Sequence, residues 1–189
     1  MSIKQKVFFL NKTLKIAGEV YFPEDFNAEV KYPCIVVSHP GNGVKEQVAG
    51  LYARLLSEKG FVTLAFDASH QGESEGLPRY LEDPTSRVED IRCAIDYLVS
   101  LPYVDEERIG AMGICAGAGY AINATQTEYR IKAVAGISTW DVGDSQRNGF
   151  AQCWTEEERK LMLREVALQR TREARGETPL YVGYVPNSK

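Results

Sequence analysis

Apolar residues recur along the chain with two different periods, and the switching between them predicts the elements. Val7 to Leu10, then Leu14, Ile16, Val20 and Phe22, follow a mostly period-two spacing, which predicts an antiparallel hairpin turning at Asn11-Lys12. Cys34 to Ser38 (C-I-V-V-S) is a short continuous apolar run ending in His39-Pro40-Gly41-Asn42-Gly43, so it reads as a buried strand feeding a glycine-rich loop. Val44 to Lys59 then carries Val48, Leu51, Leu55 and Leu56 on one helical face, with Gly60 as its stop. Phe61 to Phe66 is the next strand, and a long polar loop follows from Ala68 to Thr85. Ser86 and Glu89 have capping-box spacing and open a helix striped by Val88, Ile91, Ile95 and Leu98, which Pro102 ends. Ile109 to Ile114 is a strand, Cys115 to Ala124 a helix, and Ile131 to Ser138 a further strand reaching Thr139-Trp140-Asp141.

Strands alternating with helices in this way imply an α/β domain, its mostly parallel sheet wrapped on both faces and carrying the N-terminal hairpin at one edge. After Asp141 the pattern changes. Thr155 and Glu158 again have capping-box spacing, and Glu156 to Arg175 is densely charged with a thin apolar stripe of Leu161, Val166 and Leu168. Such a helix reads as exposed or lid-like, and Pro179 to Val185 suits a strand. The expected organisation is therefore an α/β core over residues 1–141 and a helical, lid-like or connecting segment over 142–189.

Composition narrows the function. A length of 189 residues, 44% hydrophobic and 25% charged, suits one soluble domain with a sizeable core. A formal charge of −4 without any basic block gives no electrostatic support to nucleic-acid binding. The start offers too short an apolar run for a signal peptide, and no later stretch could span a membrane. Cys34, Cys93, Cys115 and Cys153 are widely spaced without a C-x-x-C pair, so they read as reduced thiols of a cytoplasmic protein. With only two histidines and no clustered ligands, no structural zinc site is expected.

The chemistry concentrates at Gly113-Ile114-Cys115-Ala116-Gly117. A G-x-C-x-G pattern between a strand and a helix has the spacing of a nucleophile elbow, with Cys where Ser is commoner. The glycines leave room for neighbouring backbone around a strained residue, and the positive end of the helix lies beneath the sulfur, where it favours thiolate. Glycine-flanked cysteines also occur in plain strand–helix packing, so the pentapeptide by itself leaves both readings open.

The order of motifs adds to it. The edge hairpin, the loop H-P-G-N-G-V-K-E-Q after the third strand, the segment F-D-A-S-H-Q-G-E-S-E-G after the fourth and G-I-C-A-G together resemble the α/β-hydrolase fold. Over Val7 to Asp141 the chain looks like the dienelactone-hydrolase-like branch of bacterial esterases and acyl hydrolases. The resemblance implies a Cys115 nucleophile and an oxyanion hole formed by the Ala116 N–H and by Gly41, with Asn42 as the alternative. It implies a small acyl ester or thioester as substrate and no cofactor. His39 is expected to be structural, holding the oxyanion loop, and Asp67 and His70 to stabilise the rim; the other three cysteines are expected to pack.

One part of the family pattern is missing. The triad runs nucleophile, acid, histidine, yet both His39 and His70 precede Cys115. Without a base, a thiol titrating near ~8.5 is only a few per cent thiolate at neutral pH. Asp141, at the end of the last strand, is the remaining acid candidate. Related proteins continue into two more strands, so the chain is expected to lack the C-terminal strands that carry the base. A sheet ending at Ile131–Ser138 would expose a parallel edge, and self-association through that edge is the expected consequence. Two rival functions stay open: a catalytically dead binding module, and an acyl transferase using the same covalent intermediate.

Overall fold

The computed structural model describes residues 3–184. The chain divides into two compact units, Met1–Trp140 and Asp141–Lys189. Strands β1 (Lys4–Asn11), β2 (Leu14–Tyr21), β3 (Tyr32–Ser38), β4 (Val62–Phe66), β5 (Val104–Ile114) and β6 (Ile131–Ile137) form one sheet in the order β1-β2-β4-β3-β5-β6. The hairpin pairs Asn11 with Leu14, so the turn falls on Lys12-Thr13, with Lys12 at φ 53°. The strand β2 continues antiparallel onto β4. From β4 onward every pairing is parallel, through β3 and β5 to β6. All five residues of β4 are buried, as a continuous apolar run between two neighbours should be. By contrast, β6 is a free edge among the described residues, and Lys132 to Gly136 are exposed along it.

Two helix expectations are corrected. The stretch expected as one helix over Val44–Lys59 breaks at Gln47 (φ −81°, ψ −137°) into a short turn, Lys45–Ala49, and helix α1, Gly50–Ser57. Its buried face is made by the small residues Ala49 and Ala53, which pack with Tyr21, Val37, Ala65 and Ile114. Leu51 and Leu55 are exposed, because an alanine face lets the helix lie close to the sheet and leaves the wide side chains at its flanks. Helix α2, Pro84–Val99, starts earlier than the Ser86–Glu89 spacing suggested. Asp83 is its cap, accepting from the Thr85 and Ser86 N–H groups, and Pro84 supplies the first helical residue, where no N–H is needed. The stripe Val88, Ile91, Ile95 and Leu98 is buried as expected, and so are Arg87 and Asp90 beside it. Asp90 holds the hairpin end and the loop after β4 together: Asn11 Nδ2 donates to it at 2.7 Å and Ser69 N–H at 2.7 Å. Burial pushes the Asp90 carboxyl pKa up, against the opposing pull of those bonds.

In the second unit, helix α4 (Val142–Asn148) and a single 3-10 turn (Phe150–Gln152) precede α5 (Glu156–Ala174). The Thr155–Glu158 capping box is formed as its spacing predicted. No residue of α5 is buried, and Leu161, Leu163, Val166 and Leu168 are exposed. Residues 179–184 form no strand, correcting that expectation; Val185 lies outside the described residues.

Candidate active site

Helix α3 (Ala116–Thr125) starts directly where β5 ends, and Cys115 is the hinge between them. Its backbone lies at φ 55° and ψ −121°, a region that L side chains occupy only under constraint. The constraint is visible. Cys115 N–H donates to the Ile137 carbonyl at 2.9 Å, while the Cys115 carbonyl accepts from Ala118 N–H at 3.0 Å and Trp140 N–H at 3.1 Å. Strand β6 and its exit thus pin both sides of the elbow. The flanking glycines are required by backbone crowding: a Cβ on Gly113 would meet the Gly117 carbonyl, and one on Gly117 would meet the carbonyl oxygens of Ser38 and His39. The elbow helix and the loop after β3 therefore pack backbone against backbone.

This contact brings two N–H groups to the same end of the sheet. Ala116 is the first residue of α3, so its N–H has no intrahelical acceptor. Gly41 N–H likewise donates to no protein acceptor among the described residues. Asn42, the alternative donor, stands at φ 53° and gives its N–H to Glu82 Oε2 at 3.1 Å. Of the two loop groups, only Gly41 keeps a free N–H.

The histidines are engaged elsewhere. His39 is fully buried; its Nε2 accepts from Ala68 N–H at 3.0 Å, which places the ring proton on Nδ1, 2.6 Å from the Pro40 carbonyl. Burial, and then the cationic Arg87 beside it, hold the imidazole well below its ordinary pKa of 6.5, outweighing the Pro40 bond. It is a neutral structural bridge between the two loops. His70, at φ 72°, sets Nδ1 3.0 Å from the Pro78 carbonyl. Neither histidine hydrogen bonds to Cys115 among the described residues. Asp141 is exposed and caps α4 through the Asp144 N–H at 2.9 Å.

Asp67 anchors the loop after β4 through a partner that sequence reasoning missed. Its fully buried carboxylate accepts from the Lys45 N–H at 2.7 Å, the Lys45 ammonium at 2.8 Å and the Glu73 N–H at 2.9 Å. The Lys45 ammonium also binds Glu46 and Glu73, both at 2.6 Å. Burial alone would lower the Lys45 pKa, but the bonds to Asp67, Glu46 and Glu73 outweigh it and the net direction is upward. These carboxylates stand close enough together to suggest a metal site, yet the ammonium already fills the space a cation would take. Arg87 and Glu82 were missed too, since nothing in local spacing links a helix residue to a loop so far away in sequence.

A family model for PET hydrolase-like proteins matches residues 13–151, which take in strands β2 to β6, the loop after β3 and the elbow. The chain belongs to the PET hydrolase-like family. Among relatives of this PET hydrolase-like chain, the Escherichia coli K12 protein YcjY is 54% identical over 151 residues, covering 78% of this chain and 49% of that one. The thiohydrolase aneE of Aspergillus aculeatus is 33% identical over 124 residues, 66% of this chain and 37% of its own. The crystal structure of the protein PA2218 from Pseudomonas aeruginosa superposes with a TM-score of 0.91 at 38% identity, covering 96% of this chain and 56% of that one. More distant solved α/β hydrolases, a dienelactone-hydrolase-like enzyme among them, share the fold with TM-scores of 0.82 and 0.63. The α/β-hydrolase fold and the dienelactone-hydrolase-like resemblance both stand. The chain spans about half the length of the curated relatives it matches.

Proposed function

We propose that this protein cleaves carboxylic esters or thioesters through a covalent acyl intermediate on Cys115. The observation that carries the reading is the backbone of Cys115, held at positive φ on a strand-to-helix turn between two glycines that backbone contacts require. In the proposed reaction the Sγ thiolate attacks the acyl carbon and the C–S bond forms. The carbonyl oxygen becomes an oxyanion facing the Ala116 and Gly41 N–H groups, whose preorganisation is the main catalytic contribution this fold can make. The oxyanion collapses, the alcohol or thiol leaves with a proton, and water then displaces the acyl group from Cys115. With His39 and His70 bonded to backbone groups, the proposed reaction takes its proton carrier from a group other than these two histidines. Asp141 remains the proposed acid.

The thiohydrolase relative favours a thioester as donor. The four cysteines are free thiols, in keeping with a reducing, cytoplasmic setting, and among the described residues no helix is long and apolar enough to cross a membrane. The test is acyl trapping: the purified protein, mixed with p-nitrophenyl butyrate or a butyryl thioester, should gain one butyryl mass on the peptide containing Cys115. Turnover undiminished by Cys115→Ala would remove the thiol from the mechanism. Failure of Cys115 to alkylate with iodoacetamide below pH 8 would favour the binding-module reading.

A further inference from the structure

We propose that Glu82 and Arg87 are positioning residues that lock the loop after β3, so that Gly41 rather than Asn42 presents its N–H to the oxyanion; the catalytic part of this proposal rests on the acyl-enzyme reading above. The loop is held at three points. Gly43 N–H donates to the Pro40 carbonyl at 3.0 Å and closes a turn that puts Asn42 at φ 53°. Glu82 Oε2 takes the Asn42 N–H at 3.1 Å, which withdraws that group from any ligand. Gln71 Nε2 reaches both Asn42 Oδ1 at 3.4 Å and the Leu81 carbonyl at 3.3 Å, tying the loop to the segment that carries Glu82.

Arg87 secures the other end. Its side chain is only 2% exposed, with Nη2 donating to the His39 carbonyl at 2.5 Å and the guanidinium 5.0 Å from the Tyr120 ring. The His39 carbonyl is also one of the oxygens that crowd Gly117, so Arg87 bears on the contact between loop and elbow directly. Glu82 Oε1 and Arg87 Nε are 3.7 Å apart, and neither atom has a hydrogen bond among the described residues. A buried guanidinium and a largely buried carboxylate left facing each other at that distance are costly to keep unless they fix a geometry. What they fix is the choice of donor: one oxygen of Glu82 occupies Asn42 and the other faces Arg87, leaving Gly41 N–H open.

The variants are Glu82→Ala, Glu82→Gln and Arg87→Lys in the intact protein. Gln keeps an acceptor for Asn42 while removing the charge, and Lys keeps the charge while losing the forked contact to His39. Amide hydrogen exchange should quicken at Asn42 in Glu82→Ala and stay slow in Glu82→Gln. Normalised to the amount of Cys115 that can be acylated, kcat for ester turnover should fall roughly 10- to 100-fold in Glu82→Ala with KM unchanged. Glu82→Gln should recover most of it, and Arg87→Lys should lose kcat in the same manner. Unchanged exchange at Asn42 in Glu82→Ala would overturn the clamp. A faster-exchanging loop with undiminished kcat would overturn its positioning role, and so would a Glu82→Gln protein as slow as Glu82→Ala. If turnover survives Cys115→Ala, the acyl-enzyme reading and the catalytic half of this proposal fall together, while the exchange measurement still decides the clamp.

Discussion

Replacing Cys115 by glycine and by alanine gives a direct measure of the strain at the elbow. Both substitutions remove the thiol, so its half-buried contacts are lost equally and the comparison isolates the backbone. At an ordinary site alanine is more stable than glycine by ~0.4–1 kcal/mol, because glycine has more unfolded conformations to give up. At φ 55° and ψ −121° the alanine Cβ keeps the strain and glycine relieves it. Strain in such sparsely populated regions is on the order of 1–3 kcal/mol. Mid-range values, ~2 kcal/mol of relief less ~0.7 kcal/mol of chain entropy, leave Cys115→Gly ahead of Cys115→Ala by about 1 kcal/mol, reversing the usual order. Urea unfolding at neutral pH, followed by far-ultraviolet circular dichroism, should show a higher midpoint for glycine with the same slope. An alanine variant equal to or more stable than the glycine variant would mean the surrounding bonds from Ile137, Ala118 and Trp140 do not hold a strained residue. The elbow reading would then lose its physical basis.

Three further outcomes follow from the same structure. Lys45→Met leaves the fully buried Asp67 without its cationic partner and should cost ~3–5 kcal/mol in urea unfolding, part of it recovered in the double variant with Asp67→Asn; independent, additive losses would refute the pairing. Because the Lys45 pKa is raised, its contribution is complete below the usual 10.5 and is lost only as pH climbs beyond that value. His39 has the opposite sign: its folded pKa lies below 6.5, so below that pH the unfolded chain binds a proton that the folded one refuses. On this account stability should fall by about 1 kcal/mol as pH drops from about 6.5 to about 5.5, and His39→Gln should flatten that slope; identical slopes would show that the imidazole is not buried neutral. Finally, the free edge of β6 should make the 189-residue chain self-associate with rising concentration in light scattering, and a stable monomer over a wide concentration range would count against that edge as a pairing surface.

What the sequence determined by itself is everything carried by short-range periodicity. The hairpin, the parallel strands, the stripe of α2 and the capping box of α5 are each set by residues within a few positions of one another, so composition and spacing suffice. The elbow was legible for the same reason, since Gly113, Cys115 and Gly117 are local and crowding permits nothing larger at either glycine. Tertiary structure alone decided the rest. The charged Lys45 and Arg87 drew no reading from the sequence, because spacing cannot show that Asp67, Glu73 and His39 arrive from distant loops to accept their hydrogen bonds. Leu51 and Leu55 were read on one helical face with Val48 and Leu56, because periodicity says that a face exists but not how closely the helix will approach the sheet. The choice between Gly41 and Asn42 was likewise open in the sequence, where both offer an N–H in a glycine-rich turn. In the fold the Glu82 carboxylate takes the Asn42 N–H, and a partner supplied across the fold leaves no periodic trace.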